Sequence, residues 1–321
     1  LLPSKNIFIY YALGKELEDL ELWDEAFRYY EMAGEAAKSV SAYDVERDLD
    51  IIETTINTCD EAWLRSASAS AALPDEEPVP IFVVGLPRSG TTLTERIIAS
   101  HSRVCSIGET YFLQTAIRRE SGIDTGESMS PEIIVAAANA SAAKIRSDYL
   151  AAVGYKLGSE PMFVEKLPEN HLYLGFIAKS FPDARIVHVR RNPMDSCFAM
   201  FKQSWFRYAY TLEDVGRYYV AYDRLMSHWR SVLGDRLTEV AYESLVAEQE
   251  GETRCLLDRL GLPFEDACLR FEQSSAPSAT ASAVQVREKV HDRSVDRWRR
   301  FEDQLSGLRE YLEGQGIDIA T

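Results

Sequence analysis

The chain lacks any run of roughly 18 apolar residues, so the sequence predicts no membrane-spanning helix. It is poor in cysteine. Cys59, Cys105, Cys197, Cys255 and Cys268 are scattered, odd in number and without a C-x-x-C pair. That pattern excludes a disulfide framework and predicts free thiols in a reducing compartment. The five histidines form no H-E-x-x-H pair, so no zinc site is expected. Nothing near Leu1 reads as a basic region followed by an apolar stretch, so no signal peptide is predicted. With its Ala, Glu and Asp richness, the sequence points to a bacterial cytoplasm. Cations are also in deficit, giving a net charge of −16, which argues against a nucleic-acid partner.

The deficit is local. Residues 1–77 hold 6 Lys+Arg against 18 Asp+Glu, whereas the remainder holds 29 against 33, balanced enough for a cationic pocket. Two domains are expected: a helical segment with its linker over 1–77, and an α/β domain over 78–321. Residues 7–65 read as helices, two of them broken near Glu21–Trp23. Leu13, Gly14, Leu17, Ala26, Tyr30 and Ala33 fall where a tetratricopeptide repeat sets its packing residues, with Gly14 and Ala26 permitting close approach and Tyr30 filling the space. One such unit cannot bury its own faces. Either earlier repeats precede it or Tyr43–Leu64 caps it as a further helix, and the repeat offers a surface for a protein partner.

Past the linker "SASASAALPDEEPVP" (66–80) the pattern changes. "PIFVVG", "MFVEK" (162–166), "ARIVHVR" (184–190) and "LTEVAY" (237–242) read as buried strands. Helical stretches separate them: Thr92–Ser100, Asn170–Phe181, Pro193–Trp205, Leu212–Val232 and Gly251–Leu260, with an Ala/Ser-rich helical excursion over 120–150. The alternation predicts a P-loop-type α/β fold, a parallel sheet flanked by helices.

"GLPRSGTT" (85–92) follows the first of these strands and opens a helix. That is the context of a phosphate loop, in which small residues let backbone N–H groups converge and the helix dipole adds positive potential. It departs from G-x-x-x-x-G-K-[ST], because Thr91 stands in the lysine position and Arg88 brings the cation into the loop. The strand ends "VEK" and "VRR" are cationic, where a magnesium site needs carboxylates. A metal-free site for a phosphorylated ligand fits better than an ATP site, although a P-loop kinase-like phosphotransferase stays open.

"PRSGTTL" resembles the phosphosulfate loop of sulfotransferases that use 3′-phosphoadenosine 5′-phosphosulfate (PAPS) and release 3′-phosphoadenosine 5′-phosphate (PAP). "VHVRRNPMDSCFAMF" (187–201) is similar to that family's 3′-phosphate strand and helix. The likeness covers about residues 78–321 and is nearest the tetratricopeptide-linked and tyrosylprotein branch. It implies sulfonate transfer to an acceptor hydroxyl, with no metal. Arg88, Ser89, Gly90, Thr91 and Thr92 would hold the 5′-phosphate, and Arg191 the 3′-phosphate. The family's usual serine eight residues after that arginine is Ala199 here, with Ser196 one turn earlier. Ala199 also leaves open a decayed catalytic domain that serves as a scaffold.

The resemblance implies Glu109 in "CSIGET" as general base, Lys166 and Arg88 as stabilisers of the leaving oxygen, and Ser282 in contact with the transferring group. Arg287 or Lys289 would add 3′-phosphate contacts, and Tyr242 resembles a tyrosine near the nucleotide, although a core role suits it equally. His171 at a helix start is read as structural. The aromatic clusters at 205–210 and 217–222 are read as core before acceptor-pocket wall. The acceptor class is not readable.

Overall fold

The computed structural model describes residues 6–66, 77–124, 128–273 and 289–320. Five strands form one parallel sheet: β1 (Val79–Gly85), β2 (Val104–Gly108), β3 (Met162–Lys166), β4 (Arg185–Arg190) and β5 (Leu237–Ala241). Their order is β2-β3-β1-β4-β5, which makes β1 the central strand. This is the α/β sheet expected from alternating strand and helix patterns. Ile81, Phe82, Val83 and Val84 of β1 have no exposed surface, as a strand covered on both faces requires. Each such side chain contributes about 1.5–3 kcal/mol by leaving water.

The chain forms two compact units. One comprises residues 51–190 and 225–291 and contains the whole sheet. On one side of its sheet, Ile97 and Ile98 of helix Thr91–Ala99 pack with Val104, Val164, Val187, Val240 and the helix Gln249–Leu260. The expected helical excursion resolves into Phe112–Ser121, Pro131–Ala137 and Ala142–Val153. Ser130 and Ser141 cap the last two, accepting from Ile133 N–H and Lys144 N–H. The strand register aligns Gly85 with Val189, Val83 with Lys166, and Gly108 with Glu165. The carboxyl ends of β1, β2 and β3 therefore lie along one edge, where parallel sheets bind ligands.

The other unit comprises residues 1–50, 191–224 and 292–321. Its helices Ile7–Asp19 and Trp23–Val40 pack through Gly14 and Tyr30; a Cβ on Gly14 would lie 2.6 Å from Tyr30 Cε1. Ala26 and Ala33 are fully buried, as the spacing predicts. Leu13 is not: it stands 39% exposed, because Tyr11, Gly14 and Glu18 form the inward stripe and Leu13 lies about 100° away from Gly14 around the helix. Glu18 is buried among Tyr30 Oη (2.6 Å), Lys202 Nζ (2.8 Å) and Arg297 Nε (2.8 Å). Among the described residues no helix is long and apolar enough to cross a membrane.

Candidate active site

The loop after β1 is built from unusual backbone. Gly90 takes φ +102° and Arg88 takes φ +67°, left-handed for a residue with a Cβ. Such a conformation costs about 1–2 kcal/mol and marks functional loops. Gly90 could carry no side chain in any case, because its Cα faces the ring of Tyr242. Gly85 is held as tightly: an added Cβ would stand 2.5 Å from the carbonyl oxygen of Val189 on β4. These approaches let the loop curl directly into helix Thr91–Ala99, whose first N–H groups have no intrahelical acceptor. Ser89 is 1% exposed and its Oγ has no hydrogen-bond partner. A buried hydroxyl left this way is free to donate to an anion's oxygen. The loop's small residues, its helix N-terminus and this hydroxyl fit an anionic phosphate.

Glu109 follows β2 and Lys166 ends β3. The structure brings them into contact, with Lys166 Nζ donating to Glu109 Oε1. The two differ in environment. The Lys166 side chain is 2% exposed and that of Glu109 34%. A buried ammonium is tolerated only when paired.

A third group was not singled out in the sequence. Glu169 stands three residues past Lys166, in the 3-10 turn Pro168–Tyr173 that replaces the start of the expected helix at Asn170. Burial, then the Glu109 carboxylate, push its carboxyl above the usual range, against the pull of Lys166. Tyr111, 60% exposed, has its phenol pushed up by burial and by the same two carboxylates. Lys166 is thus flanked by two carboxylates. The signal for Glu169 was its spacing from a strand-terminal lysine.

Two buried titratable groups support this edge from behind. Glu165 alternates away from Lys166 on β3, has no exposed surface, and accepts from Asn170 Nδ2 (3.1 Å) and from Tyr149 Oη. Burial pushes its carboxyl up to about 7. His171 is fully buried, with Nδ1 3.0 Å from the Pro168 carbonyl and a further bond to the Gly85 backbone. Burial lowers its pKa to about 4, keeping it neutral under the loop. Its ring is taken up by backbone contacts beneath the loop.

Tyr242 does not extend its strand. β5 stops at Ala241, and Tyr242 begins the helix Tyr242–Ala247, laying its ring on Gly90. Arg191, the first residue past β4, has a side chain 8% exposed that donates to the Ser294 carbonyl. Ser196 is 1% exposed and its Oγ lies 3.5 Å from the Arg191 carbonyl oxygen. Lys289 is exposed. Ser282 and Arg287 lie outside the described residues. Among the described residues no three His, Cys, Asp or Glu side chains are grouped to hold a metal ion.

Comparison with known proteins adds independent findings. Residues 80–266 match the family model described as "Sulfotransferase family". An uncharacterized protein of Aquifex aeolicus is 32% identical over 314 residues, covering 94% of this chain and 41% of its own length, so the present chain spans less than half of that relative. Protein-tyrosine sulfotransferase 1 of Danio rerio is 23% identical over 245 residues, covering 68% of this chain and 65% of that protein. Among solved structures, the sulfotransferase domain of the Synechococcus PCC 7002 olefin synthase superposes with a TM-score of 0.53 at 22% identity, covering 76% of this chain and 98% of that one. At that identity the likeness concerns the fold.

Proposed function

Starting from a chain that belongs to the sulfotransferase family, we propose that it transfers a sulfonate from PAPS to an acceptor hydroxyl at the β1–β2–β3 edge. The observation that carries this reading is the Lys166–Glu109 pair beside a phosphate loop that has Arg88 and no lysine at Thr91. PAPS supplies a sulfonate activated by its bond to a phosphate leaving group. Ser89, Gly90, Thr91 and Thr92 would hold the 5′-phosphate through the helix N-terminus and the unmatched Ser89 hydroxyl. Arg191, and Ser196 with it, would serve the 3′-phosphate, and Tyr242 supports the loop by packing on Gly90.

The protein's own groups divide the chemistry. Glu109 is exposed enough to meet an acceptor hydroxyl, and its carboxylate oxygens can accept the hydroxyl proton. An ammonium has three N–H donors, and only one goes to Glu109 Oε1. Lys166 therefore serves the base and the developing charge on the leaving oxygen together, with Arg88. Its burial makes that charge count for more than it would in water. Calorimetric titration with PAP tests the reading. The expected result is micromolar binding without Mg²⁺, lost in Arg88→Ala. Absence of binding at millimolar PAP, or binding of Mg·ATP in its place, would sink it.

A further inference from the structure

Asn192 Oδ1 accepts the N–H groups of Met194 (3.0 Å) and Asp195 (3.2 Å) and so starts the helix Pro193–Phe201. The cap sets Asp195 in the first turn with its side chain 1% exposed. A carboxylate that deeply buried must be met by donors. It is not needed to cap the helix, because Asn192 already does so. Its oxygens go instead to a segment about 100 residues further along. Oδ2 accepts the N–H of Asp296 at 2.8 Å and Oδ1 accepts that of Trp298 at 3.0 Å. The Arg191 guanidinium stands 3.6 Å from Oδ2 and donates to the carbonyl of Ser294 in the same segment.

The segment is held in a shape it would not choose. Asp296 takes φ +55°, left-handed for a residue with a Cβ, and the Trp298 side chain beyond it is fully buried. The Asp195 carboxylate is the group shared by the strained turn, the buried tryptophan's N–H and Arg191.

We propose that Asp195 is a positioning residue for the nucleotide's 3′-phosphate: it holds Arg191 and the Ser294–Trp298 backbone in one arrangement and so sets the guanidinium in place for that phosphate. The inference rests on the proposed function, which gives the 3′-phosphate to Arg191. A general packing role would weaken every ligand alike. A positioning role weakens only ligands that carry the 3′-phosphate.

The test is calorimetric titration of PAP and of AMP, which lacks that phosphate, into the wild type, Arg191→Ala and Asp195→Asn. Asp195→Asn is expected to weaken PAP about 10-fold, the lower end of what supporting partners of a binding group cost, and to leave AMP unchanged within about twofold. Arg191→Ala is expected to bring PAP down to the affinity of AMP. Equal weakening of both ligands by Asp195→Asn, or no weakening of PAP, overturns the inference. Failure of the wild type to prefer PAP over AMP overturns the proposed function instead. Should Asp195→Asn not fold, amide hydrogen exchange of Asp296 and Trp298 in the wild type decides. Slowing with PAP but not with AMP supports the coupling, and identical exchange with both overturns it.

Discussion

The Lys166–Glu109 pair makes an asymmetric prediction, because its partners differ so sharply in burial. Removing the carboxylate with Glu109→Gln leaves the Lys166 ammonium, 2% exposed, without its counter-charge. Breaking a fully buried pair this way costs about 3–5 kcal/mol. Here the site is open at the Glu109 side, where 34% of the side chain meets water, so the cost is discounted to about 1–3 kcal/mol. Removing the ammonium with Lys166→Met is different. Methionine suits the buried position, and the orphaned Glu109 carboxylate can hydrate in place. Stability should therefore change by less than about 1 kcal/mol. Activity, unlike stability, should fall alike in the two. On the proposed roles, Glu109→Gln loses the base and Lys166→Met loses the stabiliser of the leaving oxygen, so kcat should fall about 100- to 1000-fold in each. Urea denaturation, read by tryptophan fluorescence, gives the stabilities, and sulfonate transfer from PAPS gives kcat. The reasoning is refuted if Lys166→Met is the less stable of the two, or if it retains near-wild-type kcat.

Other expectations concern the scaffold. Gly90→Ala forces a methyl into the Tyr242 ring at φ +102°, and should cost about 1–3 kcal/mol and weaken PAP binding, measured by thermal melting and calorimetry. Glu165, pushed up to about 7 in the fold against 4.5 when free, binds more protons folded than unfolded. Its contribution to stability is therefore lost as pH rises from about 4.5 to about 7, a change of about 3 kcal/mol. Glu165→Gln should remove that slope, so variant stability rises more steeply with pH than the wild type's over this window in urea titrations at fixed pH values. In the other unit, Glu18→Ala leaves the buried Lys202 without its carboxylate and should cost about 3–5 kcal/mol. A loss under about 1 kcal/mol in equilibrium unfolding would contradict that accounting.

The features legible in the sequence were those written in short-range patterns. A fully apolar β-branched run such as "PIFVVG" has few places to go except the middle of a sheet, and it occupies the central strand. The glycine spacing of "GLPRSGTT" likewise specifies its own left-handed backbone at Gly90. Glu109 and Lys166 were named from the family resemblance, and they meet because one follows β2, the other ends β3, and parallel strands end together. What local pattern does not carry is a partner distant in sequence. The helix expected over Pro193–Trp205 stops at Phe201, where Lys202 leaves it to reach Glu18, 184 residues away. The 3-10 turn Arg297–Phe301 likewise follows a left-handed Asp296 whose N–H meets Asp195, about 100 residues away. Glu18 itself sits where a helical pattern reads an ordinary surface glutamate, and only Tyr30, Lys202 and Arg297 make its burial tolerable.

On the proposed function, the loop, Glu109 and Lys166 move a sulfonate from PAPS to a hydroxyl. Mass spectrometry of a hydroxyl-acceptor library incubated with PAPS and the wild-type protein tests it most directly, with Glu109→Gln as the comparison. The predicted result is acceptor gaining the mass of one sulfonate, with PAP released in equal amount and both signals falling at least about 100-fold in Glu109→Gln. Undiminished transfer by Glu109→Gln, or phosphate added to acceptors from Mg·ATP and no sulfonate from PAPS, would contradict it.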